Sequence, residues 1–206
     1  MPHYKLTYFN GRGFADVSRQ LFVLAGVPFE DVRLEQSDWT DEKKLEMPFR
    51  QMPVLEVDGL KIPQTLAIAR YLARKFGFAG KNPEEEALVD GLADQFKDFY
   101  NATWPYYHTR IGFLDNDIDK EMEKFVPERN KFLGFLTDYL KRSESGFLFD
   151  GGLTYADLII SDDMRTQLMW WPKYAEGFPE VAEWYKKVDS IPEIRKHIDN
   201  SPKTKF

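Results

Sequence analysis

No cysteine occurs among the 206 residues, which removes thiolate nucleophiles, CxxC redox pairs, disulfides and thiolate metal sites together. Any thiol chemistry must therefore be brought by a substrate. His3, His108 and His197 are scattered without metal-ligand spacing and suggest no metal centre. What remains is a set of hydrogen-bonding side chains at element ends. Tyr8 closes the run Tyr4 to Phe9 just ahead of Asn10-Gly11-Arg12-Gly13; on its own it reads as a half-buried strand residue. Gln64-Thr65 follows Pro63 and opens an apolar-periodic stretch. That pair fits a hydroxyl cap, or a helix end whose free N–H groups and positive dipole suit an anion. Trp39 and Lys43, four apart in a polar segment, read by themselves as a packing anchor and a solvated charge. Asp90, Asp94 and Asp98 form an acidic stripe of the kind that usually faces water.

The elements that must hold these residues change character near residue 80. Tyr4 to Phe9 has strand length, Ala15 to Ala25 has helical spacing, and Val27 to Leu34 alternates as a second strand. The right-handed crossover rule makes the two strands parallel. Val54 to Val57 and Leu60 to Ile62, joined by Asp58-Gly59, predict a hairpin, and a helix follows from about Gln64 to Phe76. The order βαβαββα matches the thioredoxin-like topology. Phe78 to Pro83 then reads as a linker. Beyond it the segments are helical. Leu88, Leu92, Phe96, Phe99, Tyr100 and Thr103 step at three and four, as do Met122, Phe125, Val126, Phe132, Leu133, Leu136, Tyr139 and Leu140. Thr154-Tyr155-Ala156-Asp157 fits a capping box, with Leu153 and Leu158 as its staple, for a helix to about Met169. Phe178 to Ser190 and Pro192 to Ile198 predict two closing helices.

Composition narrows the partners. A net charge of −6 with 43% hydrophobic residues describes a globular chain with enough apolar matter for a core. The acidic balance and lack of a basic cluster exclude a phosphate backbone or anionic membrane as the expected partner. The longest stretch without charged side chains, Phe99 to Thr109, is far shorter than a membrane helix. The first residues, Met1 to Leu6, lack a secretory h-region, so a cytoplasmic location is expected. The sequon Asn101-Ala102-Thr103 is then coincidental.

Tyr8-Phe9-Asn10-Gly11-Arg12-Gly13, Met52-Pro53-Val54-Leu55-Glu56-Val57-Asp58-Gly59, Ala67-Ile68-Ala69-Arg70-Tyr71-Leu72-Ala73 and the Asp157 capping box occur in order along the chain. Together they resemble the cytosolic glutathione transferases, sigma class, in particular its nematode branch. The resemblance implies a thioredoxin-like glutathione-binding domain over 1–79. An all-helical domain over 80–206 would form the hydrophobic substrate pocket and part of a dimer interface. It implies that Tyr8 donates to the sulfur of glutathione and lowers the thiol pKa. Gln51, Met52, Pro53, Gln64 and Thr65 would bind the tripeptide, with Pro53 as the family's cis-proline and Met52 pairing its backbone with the cysteinyl part. Trp39 and Lys43, both pure donors, would meet the glycyl carboxylate. Asp98 would reach the γ-glutamyl ammonium in the other subunit. Phe9, Phe14, Tyr100, Trp104 and Phe206 would line the apolar pocket.

Three positions depart from the pattern. Thr65 replaces the usual serine and keeps its hydroxyl, Arg50 stands where glycine is expected, and Phe14 stands where several sigma members carry arginine. Phe14 implies a more apolar surround for the sulfur and weighs against prostaglandin isomerisation. The implied activity is conjugation of glutathione, a co-substrate, to small hydrophobic electrophiles by a homodimer with no tightly bound cofactor. Alternatives are a glutathione-dependent prostaglandin isomerase or peroxidase, a non-catalytic carrier of haem or other hydrophobic ligands, and a crystallin-like structural protein.

Overall fold

The computed structural model describes residues 2–204. The chain forms two compact units: one ends at Ala79 and takes in the C-terminal segment from Ser190, and the other is Gly80–Asp189. The C-terminal segment from Ser190 thus groups by its contacts with the first unit. The reason is polar: the last helix carries His197, whose Nε2 lies 3.0 Å from Oδ1 of Asp16, a buried carboxylate of the first unit.

In the first unit, strands β1 (Tyr4–Phe9), β2 (Glu30–Leu34), β3 (Val54–Val57) and β4 (Leu60–Pro63) form one sheet in the order β2-β1-β3-β4. β2 runs parallel to β1, β3 is antiparallel to β1, and β4 is antiparallel to β3. Helix α1 (Asp16–Ala25) makes the crossover and ends at Gly26, whose φ of 63° is the left-handed conformation glycine accepts. The Val27 N–H then returns to the Phe22 carbonyl at 3.0 Å, and Pro28 has no N–H to give. The second strand consequently starts at Glu30, three residues later than alternation predicts. Helix α2 is a single turn, Asp41–Leu45, capped by Thr40, and α3 (Thr65–Phe76) packs on α1. Leu6, Leu21, Phe22, Leu55, Ile68 and Leu72 are fully buried between helices and sheet. Each such side chain contributes ~1.5–3 kcal/mol.

The second unit is helical: α4 (Pro83–Ala102), α5 (Trp104–Ile111), α6 (Ile118–Arg142), α7 (Tyr155–Trp170) and α8 (Pro179–Asp189). The closing helix α9 (Pro192–Asn200) belongs to the first unit. Helix α5 is absent from the sequence expectation. Pro105 cannot continue the α4 hydrogen-bond ladder but suits a first turn, so one helix stops and another starts at Thr103. The capping box at α7 holds, and its acid does more than cap. Asp157 accepts from the Thr154 N–H at 2.9 Å and hydroxyl at 2.7 Å, from the Leu148 N–H at 3.0 Å and from the Trp184 indole at 2.8 Å. Asp90, expected to be solvated, instead accepts from the Tyr155 hydroxyl. Tyr155 is fully buried and its hydroxyl requires a partner.

Candidate active site

The sheet register gathers the residues of interest at one edge. Thr7 pairs with Val54 and Val54 with Pro63, so the C-terminal end of β1, the start of β3 and the end of β4 lie side by side. Tyr8 follows Thr7, the cis Met52–Pro53 bond precedes Val54, and Gln64-Thr65 follow Pro63. The Gln64 amide donates to Gln51 Oε1 at 3.0 Å. Gln64 holds φ 75° and ψ 124°, a conformation that costs a residue with a Cβ ~1–3 kcal/mol. It is the N-cap of α3, whose first turn has no side-chain cap. The hydroxyl-cap reading of Thr65 is therefore not realised. Backbone strain and an uncapped helix end coincide where an anionic group would be held.

Tyr8 is buried, and its Oη accepts a hydrogen bond from the Phe14 N–H at 3.4 Å. The turn that brings this N–H back is tight. Gly13 has φ +43°, and a Cβ there would lie 2.9 Å from Tyr8 Oη and 3.0 Å from Cε1. Burial raises the Tyr8 phenol above its ordinary value, against smaller opposing pulls from the Phe14 N–H and the Arg19 charge. Tyr8 is thus a neutral phenol with its acceptor side occupied and its proton available to donate. Asp16 is buried in the first turn of α1, at the positive end of that helix's dipole.

The other expected residues fall as follows. Phe9 packs edge-on to Tyr8, with ring centroids 5.6 Å apart, and to Trp39 at 5.9 Å, so the first-unit aromatics form one group beside the phenol. Phe14 is half-buried in the 3-10 turn Gly13–Ala15. Lys43 is half-exposed on α2 and paired with Glu46 at 2.8 Å. Arg50 follows Phe49 in the left-handed region, with φ of 53° and 55°. In the second unit, Asp98 is exposed on a shallow groove it shares with Gln95, Glu128 and Lys131. Tyr100 lies 4.6 Å from the Tyr107 ring, and Trp104 stacks on His108 at 3.8 Å. Phe206 lies outside the described residues. No group of acids and histidines suited to a metal occurs among the described residues.

Sequence reasoning passed over Gly13 and Arg19. Their signal was present: a glycine two residues before a helix, and an arginine on the buried face of that helix.

The thioredoxin-like sheet, with a buried phenol, a cis-proline and a strained helix start at one edge, is the fold that the resemblance in the sequence implies. Comparisons with known proteins agree. The model for the glutathione S-transferase N-terminal domain matches residues 4–74, and that for the C-terminal domain matches residues 97–201. "Probable glutathione S-transferase 5" of Caenorhabditis elegans is 44% identical over 208 residues, covering 100% of both chains. A crystal structure described as a monomeric glutathione S-transferase from the hookworm Necator americanus is 50% identical. It has a TM-score of 0.96 and covers 99% of this chain and 100% of its own. A Nu-class structure from Haemonchus contortus is 50% identical with a TM-score of 0.91, and both chains are covered in full. The chain belongs to the glutathione S-transferase family, as an enzyme that takes glutathione as co-substrate.

Proposed function

We propose that Tyr8 activates glutathione by donating a hydrogen bond from its phenolic O–H to the sulfur, so that the thiol releases its proton to solvent and the thiolate attacks an apolar electrophile. One observation carries this reading: Tyr8 Oη accepts from the Phe14 N–H, which leaves its own proton for the sulfur. A thiol of pKa ~8.5 is only a few per cent ionised at neutral pH, and lowering it by two units requires ~2.7 kcal/mol. A hydrogen bond to a charged sulfur supplies ~1.5–3 kcal/mol, and the Phe14 N–H strengthens it by polarising the phenol. No general base is needed. Gln51, Met52, Pro53, Gln64 and Thr65 hold the tripeptide, with Trp39 and Lys43 at the glycyl end, so affinity and activation reside in different side chains. Phe9 and Phe14 offer apolar surface close to the sulfur.

The test is conjugation of glutathione to a chlorinated nitroaromatic across pH 6 to 9 for wild type and Tyr8→Phe. The expected loss is ~10²-fold in kcat, about 2.7 kcal/mol, with the pH dependence of the variant displaced upward. Burial keeps the phenol protonated, so the profile reports the sulfur. An unchanged rate and profile would remove Tyr8 from the chemistry.

The reading extends to a homodimeric, cytoplasmic, sigma-type enzyme that detoxifies electrophiles. The sigma-like strings support the class, although one similar structure is described as Nu-class. The exposed Asp98 supports the dimer, since its expected target is glutathione in a partner's site. Sedimentation velocity at micromolar concentration is expected to give two copies. A single copy, as in the relative described as monomeric, would leave Asp98 without that role.

A further inference from the structure

Arg19 is fully buried on α1, an expensive place for a guanidinium. Its charge is matched: Nε donates to Asp31 Oδ1 at 3.0 Å, and Nη1 lies 3.7 Å from Asp16 Oδ1. Its remaining contacts are not to acids. Nη1 donates to the Gly11 carbonyl at 2.6 Å and approaches the Arg12 carbonyl at 3.3 Å. Gly11 and Arg12 belong to the short segment that leaves β1 after Phe9 and returns the Phe14 N–H to the Tyr8 hydroxyl. The same segment is tied at its start by Asn10 N–H to the Leu34 carbonyl at 2.8 Å and Gly11 N–H to the Phe9 carbonyl at 2.8 Å. Between Gly11 and Phe14 the arginine is thus an anchor, beside the Asp16 N–H that donates to the Gly13 carbonyl. The bond it positions has no slack, because 3.4 Å is already the outer edge of hydrogen-bonding distance. A shift of a few tenths of an ångström away from Tyr8 breaks it.

We propose that Arg19 is a positioning residue for thiol activation: with its Nε held by Asp31, its buried Nη1 fixes the Gly11 and Arg12 carbonyls and thereby sets the Phe14 N–H on Tyr8 Oη. The assignment rests on the reading of Tyr8 given above. It makes geometry, rather than positive charge alone, the property required at residue 19. A lysine keeps the charge but is a point donor on a flexible stem, unable to span Asp31 and two carbonyls from one plane.

The experiment titrates the ultraviolet thiolate band of glutathione bound to wild type, Arg19→Lys, Tyr8→Phe and the double variant, with kcat and KM for each. Arg19→Lys is expected to lower the thiolate fraction at pH 7 about tenfold, one pKa unit in the bound thiol. KM for glutathione should change less than about threefold, and Arg19→Lys should add little in the Tyr8→Phe background. Asp31→Asn frees one end of the fork while retaining the arginine, and should show the same effect at about threefold. It serves where Arg19→Lys does not fold. A folded Arg19→Lys or Asp31→Asn with wild-type thiolate, beside a Tyr8→Phe that loses it, overturns the role of Arg19 and spares Tyr8. Full additivity with Tyr8→Phe, or a rise in KM without a change in thiolate, overturns it also. A Tyr8→Phe with wild-type thiolate overturns both.

Discussion

Gly13→Ala is the most discriminating perturbation available, because its consequence can be worked out from two distances. The new Cβ would sit 2.9 Å from Tyr8 Oη and 3.0 Å from Cε1 at a residue whose φ is +43°. The left-handed conformation alone costs an alanine ~1–2 kcal/mol. Relieving the contact requires the ring or the turn to give by about half an ångström, a further ~1–2 kcal/mol of the kind paid on overpacking a tight site. Either movement takes the Phe14 N–H, at 3.4 Å, out of range of Tyr8 Oη. A fold loss of ~2–4 kcal/mol and a loss of ~10 to 10²-fold in kcat/KM, about 1.4–2.7 kcal/mol, are expected together. Urea unfolding reads the first, and steady-state conjugation per folded molecule reads the second. The two effects separate in a Tyr8→Phe background. There the Cε1 contact remains, so most of the stability cost persists, while the catalytic cost vanishes because no hydroxyl is left to misplace. A Gly13→Ala enzyme that keeps more than half its activity, or one that loses the same factor with and without the Tyr8 hydroxyl, would refute the argument.

Asp16→Asn tests the tie between α1 and α9. Burial pushes the Asp16 carboxyl up, but hydrogen bonds from His197 and Gln20 and the Arg19 charge outweigh it and hold the carboxyl far below the usual carboxylate range. A depressed folded pKa stabilises the protein above the unfolded value of ~3.9, and that stability is lost as pH falls below it. The variant should be ~3 kcal/mol less stable at pH 7, and the gap should narrow by about 1 kcal/mol at pH 3. Urea midpoints at the two pH values check this, and a gap independent of pH contradicts it. Asp157→Asn should cost ~2–4 kcal/mol. One amide oxygen cannot serve donors from Leu148, Thr154 and Trp184, and the amide N–H groups would face one of them. A thermal midpoint within a degree or two of wild type would show that these bonds carry little.

The sequence made the outline of both units legible because their apolar periods differ. Alternation and the Asp58-Gly59 turn located β3 and β4, and three-four spacing located α4 and α6. The Thr154 box was readable because capping is a local interaction of four residues. Failures came where a distant partner decides the outcome. Pro192 to Asn200 has the pattern of any surface helix, yet it joins the first unit through His197 and Asp16, residues 181 apart. Asp90 sits in an acidic stripe suited to water, but Tyr155 claims it from another helix. The residues proposed for the site come from whole strings, such as the one around Tyr8. What those strings do not convey is that Gly13 and Arg19 shape the surroundings of the phenol, since a carbonyl's direction is a property of the folded backbone.

The balance of charge around Tyr8 explains why positioning falls to an arginine that is neutralised so fully. Activation needs a phenol that accepts from Phe14 and donates to sulfur at once, and only the neutral form can do both. An unpaired cation nearby would favour phenolate, which accepts from any donor but offers nothing to a thiolate. Two carboxylates, Asp16 and Asp31, flank the Arg19 guanidinium, and its pull on Tyr8 is smaller than the opposing effect of burial. The geometry of the guanidinium remains: Nε is held by Asp31, and Nη1 is directed at the Gly11 and Arg12 carbonyls. The enzyme thus uses the shape of arginine at this position while cancelling most of its charge. A positive residue introduced closer to Tyr8 without a matching acid would be expected to lower the phenol's pKa and, with it, the reach of activity toward high pH.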